Sequence, residues 1–186
     1  MHTFAREVKL KNALSSIGSK YDYVIVDCPP SLSLLTVNGL NAADSFLVPM
    51  QTEYYAMEGL AQLLNTVELL KDSLNPSLKN EGILLTMYDG RNNLSKAVAE
   101  EIQKTFPEQT FKTIIPRNVK LSECPSHGKP IIMYDVTSKG SEAYLNLARE
   151  IILKEESSRQ EAIKNSSLVD RVIYRDESTE LNTPQV

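Results

Sequence analysis

The chain has 186 residues, of which 41% are hydrophobic and 24% are charged, and its formal net charge is -4. This length suits a single domain with one hydrophobic core, and the mildly acidic balance excludes binding to nucleic acid through overall charge. No apolar stretch approaches the roughly 20 residues of a membrane-spanning helix, and no signal-peptide pattern is present. The only cysteines, Cys28 and Cys124, are expected to be reduced thiols, so the composition predicts a cytoplasmic protein.

Apolar runs alternate with amphipathic stretches along the chain, and their spacing predicts the elements. A helical spacing of apolar residues predicts a first helix over 3–16. Short runs rich in apolar and β-branched residues predict four strands, over 23–27, 45–49, 82–87 and 111–115. Helices are predicted over 31–43, 57–74, 94–106 and 138–154, with a proline-studded loop over 116–132.

Strands that alternate with helices predict a parallel α/β sheet with right-handed crossovers. We assign residues 1–154 to this domain. Residues 155–186 are rich in Ser, Glu, Gln, Asn and Arg, and we expect a polar tail that is disordered or loosely helical. An apolar cluster over 168–174 could instead form a short docking helix.

The first predicted strand ends in a carboxylate, Asp27. Ligands of open α/β sheets bind beyond the carboxyl ends of the strands, so Asp27 is placed to hold Mg²⁺ directly or through water. Aspartate also commonly caps the following turn or helix. The local pattern leaves both interpretations open.

Four blocks of sequence resemble the ParA/Soj family of chromosome- and plasmid-partitioning ATPases, in the family's order. They are YDYVIVDCPPSL (21–32), PMQTEYYAMEGL (49–60), LTMYDGRNNL (85–94) and IPRNVKLSE (115–123), which continues into PSHGKP (125–130). The resemblance covers most of residues 4–153 and implies a P-loop NTPase-like parallel sheet flanked by helices. It also implies that the sheet is truncated at the N-terminus, because the sequence starts shortly before the Walker B region.

The resemblance implies a nucleotide site. Asp27 corresponds to the Walker B carboxylate near Mg²⁺, and the loop that holds Pro116 and Asn118 corresponds to the segment against the adenine ring. Glu53 and Glu58 lie where the family builds its nucleotide-dependent dimer face.

The resemblance also implies a DNA-binding surface. Arg91 and Lys120 match positions where the family places basic residues for nonspecific DNA binding, and Arg117 and Lys129 are expected to join them. Basic side chains on one face can engage phosphates without reading bases. We expect His127, which has no nucleophile at a recognisable spacing, to be structural.

The family's glycine-rich phosphate loop has no counterpart in the sequence, because the glycines are isolated and none precedes a Lys-Ser or Lys-Thr pair. Such a loop and its lysine supply much of phosphoryl-transfer catalysis, so we expect ATP and Mg²⁺ to be cofactors of the complete family member and this chain not to hydrolyse ATP alone. The implied function is chromosome or plasmid partitioning by a nucleoid-associated homodimer that binds nonspecific DNA and a ParB-like partner. The alternative is a non-catalytic interaction or regulatory protein. Membrane binding, known among MinD-like relatives, is not expected, because the 168–174 cluster is short and flanked by acids.

Overall fold

The computed structural model describes residues 6–17, 20–29, 31 and 33–177, with side chains as far as Lys164 except Ala162. Two strands, β1 (Ser45–Gln51) and β2 (Lys79–Thr86), pair in parallel with Val48 opposite Ile83. Between them along the chain lies a helix over Ala56–Ser73. Parallel strands need such a crossover, since a tight turn cannot join them.

Helices lie in each of the five segments predicted to be helical, and two further short helices were not predicted. In chain order they are α1 (Lys9–Leu14), α2 (Leu34–Ala42), α3 (Ala56–Ser73), α4 (Asn93–Thr105), α5 (Val119–Glu123), α6 (Ile131–Tyr134) and α7 (Lys139–Glu177). Short 3₁₀ segments cover Arg6–Val8 and Cys124–His127. The segment predicted as a proline-studded loop therefore contains α5 and a 3₁₀ turn.

One face of the sheet is covered by α3 and α4. Ile83 and Leu85 of β2 pack with Leu60 of α3 and Ile102 of α4, and all four side chains are fully buried. Because side chains alternate along a strand, Leu84 points the other way and packs with residues of the following extended segment and of α7: Phe111, Ile115, Ala143 and Leu147. Helices on both faces explain the continuous apolar run of β2.

The strand predicted over 23–27 is wrong. The backbone has no strand there, and Ile25 is 93% exposed. A strand needs a neighbour to accept and donate its backbone hydrogen bonds. Within the described ranges β1 pairs only with β2, so no strand there pairs with this run. At its first residue, the Tyr23 hydroxyl donates a hydrogen bond to the Glu155 carboxylate.

The strand predicted over 111–115 forms only isolated bridges to β2 and the residues just after it, at Thr110–Ile83 and Pro116–Tyr88. The segment still runs along β2, with Ile115 N–H donating to Leu85 O over 2.9 Å. Glu150 of α7 accepts hydrogen bonds from the backbone N–H groups of residues 112 and 113, at 2.7 and 2.9 Å. The Glu150 carboxylate thus accepts hydrogen bonds that the carbonyl groups of a neighbouring strand would accept in a regular sheet.

The last helix is longer than predicted. We predicted an end at Lys154, but the backbone of α7 is helical to Glu177. The cluster over 168–174 falls within this helix, but its side chains lie outside the described residues, as does all of 178–186. The division of the chain at residue 154 stays a prediction. Among the described residues, no helix combines the length and apolarity that crossing a bilayer requires.

Candidate functional site

A cleft of about 850 Å³ opens beyond the carboxyl ends of β1 and β2. This is the edge at which open parallel sheets bind ligands. The turn after β1 contributes residues 52–56, and the segment after β2 contributes Met87 and Asp89. The wall is completed by Asn92, Leu94 and Ser95 at the start of α4, and by Arg117, which follows the 110–116 run.

Two buried hydroxyls join the turn after β1 to α4. Thr52 Oγ1 and Ser95 Oγ lie 2.6 Å apart, and Ser95 Oγ also accepts a hydrogen bond from the Asp89 N–H at 3.1 Å. Both side chains are at most 5% exposed. Because buried hydroxyls are costly to leave unpaired, this contact fixes the Asp89 loop against β1.

The chain turns sharply where β2 ends. Met87 has a φ of 51°, the one positive φ at a residue other than glycine in the described part of the chain. A side chain in this left-handed region carries strain, which persists only where surrounding contacts impose it. Here the neighbouring Tyr88 is held by hydrogen bonds to the backbone of residues 115 and 117. The turn brings Asp89 to the cleft wall.

Asp89 holds Arg91 through both of its oxygens. Arg91 Nε and Nη2 each donate to the carboxylate at 3.0 Å, and the Arg91 N–H adds a third bond of 3.0 Å. These hydrogen bonds, with a smaller contribution from the charge of Arg117, lower the pKa of Asp89 from 3.8 to about 2. The Arg91 side chain itself is 90% exposed, so its remaining donors face solvent.

The segment after Pro116 is ordered by hydrogen bonds to Tyr88 and to the Asn118 side chain. The Arg117 N–H donates to Tyr88 O at 2.9 Å. Asn118 is the N-cap of α5, where its Oδ1 accepts from the Lys120 N–H at 2.8 Å. This cap sets the direction of α5. Pro116 and Asn118, the predicted adenine contacts, thus lie on either side of a cleft residue, Arg117.

Lys120 on α5 is also paired. Its Nζ lies 2.9 Å from Glu123 Oε2, and the same oxygen accepts from the Tyr134 hydroxyl at 3.0 Å. Lys120 Nζ lies 5.7 Å from the centre of the Tyr134 ring, on which His127 stacks at 4.9 Å. The hydrogen bonds from Lys120 and Tyr134 lower the pKa of Glu123.

Asp27, the predicted Mg²⁺ ligand, is exposed and lies in the segment without regular structure. It is not among the residues that line the cleft. Within the described ranges, no three or more His, Cys, Asp or Glu side chains gather as metal ligands. A single exposed carboxylate, in a sequence without a phosphate loop, does not fit Mg²⁺ and a nucleotide's phosphates.

The motif resemblance singled out Arg91 and Arg117 but not Asp89, Thr52 or Ser95. The Asp-Gly-Arg spacing of residues 89–91 is a readable signal for the Asp89–Arg91 pair, since aspartate commonly bonds the backbone two residues on. The Thr52–Ser95 contact spans 43 positions and has no such signal. The exposed, edge-to-face rings of Tyr54 and Tyr55, 5.1 Å apart at the cleft rim, were not singled out either.

A parallel sheet between helices, with a cleft at the carboxyl ends of its strands, defines an α/β domain of the P-loop NTPase-like class. Residues 1–80 match the model of a family described as an AAA domain. The chain is 58% identical over 150 residues to the chromosome partitioning protein ParA of Myxococcus xanthus, covering 81% of this chain and 53% of that protein. It is 59% identical over 149 residues to the sporulation initiation inhibitor protein Soj of Bacillus subtilis, and the match covers 80% of this chain and 59% of that protein. The matched part of the chain belongs to the ParA/Soj family.

A solved structure has the same fold. Cobyrinic acid a,c-diamide synthase from Mycobacterium smegmatis, with bound ADP and magnesium, superposes with a TM-score of 0.69 at 34% identity, over 84% of this chain and 57% of that one. The chain thus spans little more than half the length of the relatives it matches.

Proposed function

We propose that this chain is part of a partitioning protein that binds DNA without sequence preference. The proposal is supported by the chromosome-partitioning relatives and, above all, by the position of its cations. Arg91 and Arg117 come from separate loops, and both act on the charge of Asp89. Lys120 follows on α5, three positions after Arg117 in the sequence. Cations grouped on one edge can bind the phosphates of a duplex while the chain as a whole stays acidic.

The nucleotide side of the proposal rests on the same loop. Pro116 and Asn118 would lie against an adenine ring, with Arg117 between them at the cleft wall. ATP with Mg²⁺ is proposed as the cofactor of the complete family member, because the described residues of this chain do not by themselves provide a site for Mg²⁺ and the phosphates. Asp27 would approach that Mg²⁺ only beside a phosphate loop, which this sequence does not contain.

Assembly with a second copy and with a ParB-like partner belongs to the proposal as well. Glu53 lines the cleft, and the exposed rings of Tyr54 and Tyr55 stand at its rim. Aromatic side chains with exposed faces are enriched at protein interfaces, which supports this rim as the dimer or partner surface.

Retention of random-sequence duplex DNA by the purified chain tests the DNA surface. Arg91→Ala, Arg117→Ala and Lys120→Ala are each expected to weaken binding. Each should also lower the slope of log affinity against log salt by about 0.9, because one phosphate is no longer neutralised by the protein. Lys104→Ala is the matched control, because Lys104 is an exposed cation in the last turn of α4. Equal affinities for all four variants and the parent would disprove the surface.

A second candidate function is that of a non-catalytic interaction protein. It is favoured by the exposed apolar run that includes Val24 and Ile25, whose side chains are 46% and 93% exposed. Exposed apolar patches mark interaction sites. This candidate predicts that the chain is recovered with a ParB-like or full-length ParA-like protein in the absence of nucleotide. Recovery that requires ATP, or no recovery of either protein, would count against it.

A further inference from the structure

Two of the three cations assigned to the DNA surface are already engaged by a carboxylate close by in the sequence. For Arg91, the partner is Asp89, which takes the guanidinium through two parallel hydrogen bonds of 3.0 Å. This fork-to-carboxylate geometry is the same one that an arginine uses for a phosphate. The Nε edge of Arg91 is therefore occupied by an intramolecular anion.

For Lys120, the partner is Glu123, one turn on along α5, at 2.9 Å. Tyr134 donates to the same Glu123 oxygen at 3.0 Å, which holds the carboxylate in place beside the lysine. The Tyr134 ring lies beside the same ammonium group, with Lys120 Nζ 5.7 Å from the centre of the ring. Lys120 is 46% exposed in this arrangement, against 90% for Arg91.

We propose that Asp89 and Glu123 are built-in competitors of DNA phosphate, which hold Arg91 and Lys120 in a state of low DNA affinity. The inference rests on the proposed DNA-binding function and adds a feature of the chain that restrains this binding. Each pair is neutral as a unit, so an approaching phosphate gains little attraction from it. A phosphate that takes the cation must displace the carboxylate or lie close to its negative charge.

Both ion pairs are weak enough for DNA phosphates to displace them. Exposed ion pairs contribute little to stability, because solvent screens them and the side chains lose freedom. A polyanion with closely spaced phosphates can therefore outcompete them. Removing one competitor is expected to raise DNA affinity by roughly 1.4- to fivefold, the range that corresponds to the contribution of exposed ion pairs.

The test compares Asp89→Asn and Glu123→Gln with the parent chain in retention of random-sequence duplex DNA. Both changes remove the charge but keep the side-chain shape and an oxygen that can accept the Arg91 N–H or the Tyr134 hydroxyl. Asp72→Asn in α3 is the matched control, because it makes the same change in net charge at an exposed site. Circular dichroism and thermal unfolding check that each variant is folded.

Two double variants separate release of a cation from a general change in charge. If Asp89 acts through Arg91, the gain from Asp89→Asn disappears when Arg91 is alanine. The same holds for Glu123→Gln when Lys120 is alanine. A gain that persists in the double variants, or that Asp72→Asn reproduces, overturns the inference.

The remaining outcomes distinguish this inference from the proposed function. Weaker binding by Arg91→Ala and Lys120→Ala, with tighter binding by Asp89→Asn and Glu123→Gln, supports both. The same weakening without tighter binding by the carboxylate variants keeps the DNA surface and overturns the competition. If the carboxylate variants also bind more weakly, the carboxylates position the cations for DNA, and the competition is again overturned. No DNA retention by the parent or any variant overturns both.

Discussion

At the scale of the residue, the polar contacts of the cleft converge on Asp89. Its N–H is held by Ser95, and its carboxylate accepts three hydrogen bonds from Arg91. Hydrogen bonds to the charged form of a carboxylate favour that form, which is why the pKa of Asp89 falls from 3.8 to about 2.

The depressed pKa predicts how the loop responds to acid. Because the folded pKa lies below the unfolded one, the contribution of Asp89 to stability is fully present above about pH 4 and is lost as the pH falls towards 2. Arg91→Ala is expected to return the pKa towards 3.8. Carboxyl chemical shifts of Asp89, followed by NMR against pH, measure it. Lys104→Ala is the control, and a pKa of Asp89 that stays near 2 in Arg91→Ala would contradict the assignment.

At the scale of the element, two helical glycines differ in their surroundings. A Cβ on Gly59 of α3 would meet nothing within 4 Å, whereas a Cβ on Gly140 of α7 would lie 2.6 Å from Leu121 Cγ. Gly140 is buried where α7 packs on α5. The first glycine only weakens its helix, and the second permits a close approach between helices.

The same substitution at these two positions is therefore expected to act in opposite directions. Gly59→Ala should stabilise the fold by about 0.5–1 kcal/mol, since alanine restricts the unfolded chain and suits a helix. Gly140→Ala should destabilise it by about 1–3 kcal/mol, because Leu121 must move. Urea denaturation of both variants gives the free energies of unfolding. Stabilisation by Gly140→Ala would mean that the α5–α7 packing is looser than described.

At the scale of the whole molecule, burial is uneven. The faces of the two-stranded sheet are covered by helices, and Leu85 is fully buried. The run over 23–27 has a composition like that of β1 and β2 but lies in solvent, with Ile25 93% exposed. Two aliphatic side chains of similar size therefore occupy opposite environments.

Truncating these two side chains measures that difference. Leu85→Ala is expected to cost about 2–5 kcal/mol, because it removes buried methyl groups and leaves a cavity. Ile25→Ala is expected to change stability by no more than about 0.5 kcal/mol, as exposed substitutions do. Thermal or urea unfolding of the isolated chain measures both. A cost above about 2 kcal/mol for Ile25→Ala would mean that the 23–27 run is buried in solution.

Local sequence patterns were sufficient for most of the fold. β1, β2, α3 and α4 lie within a few residues of their predicted bounds, because apolar periodicity and helix-ending residues act over short distances. The motif resemblance also singled out Arg91, Arg117 and Lys120, which lie in the segments that follow β2 and the 110–116 run. It did not reveal that Asp89 and Glu123 already hold two of them, and their roles in DNA binding stay predictions.

Tertiary structure decided the rest, and the physical reason is where each element finds its hydrogen bonds. A helix satisfies its backbone within its own sequence, so α3 and α4 can follow from local residues. A strand depends on a neighbour. β1 and β2 pair with each other, and the 110–116 run bonds to part of β2 and to the Glu150 carboxylate. The 23–27 run has no strand beside it in the described part of the chain. By itself, the sequence determined which segments can be strands, and only the assembled sheet decided which of them are.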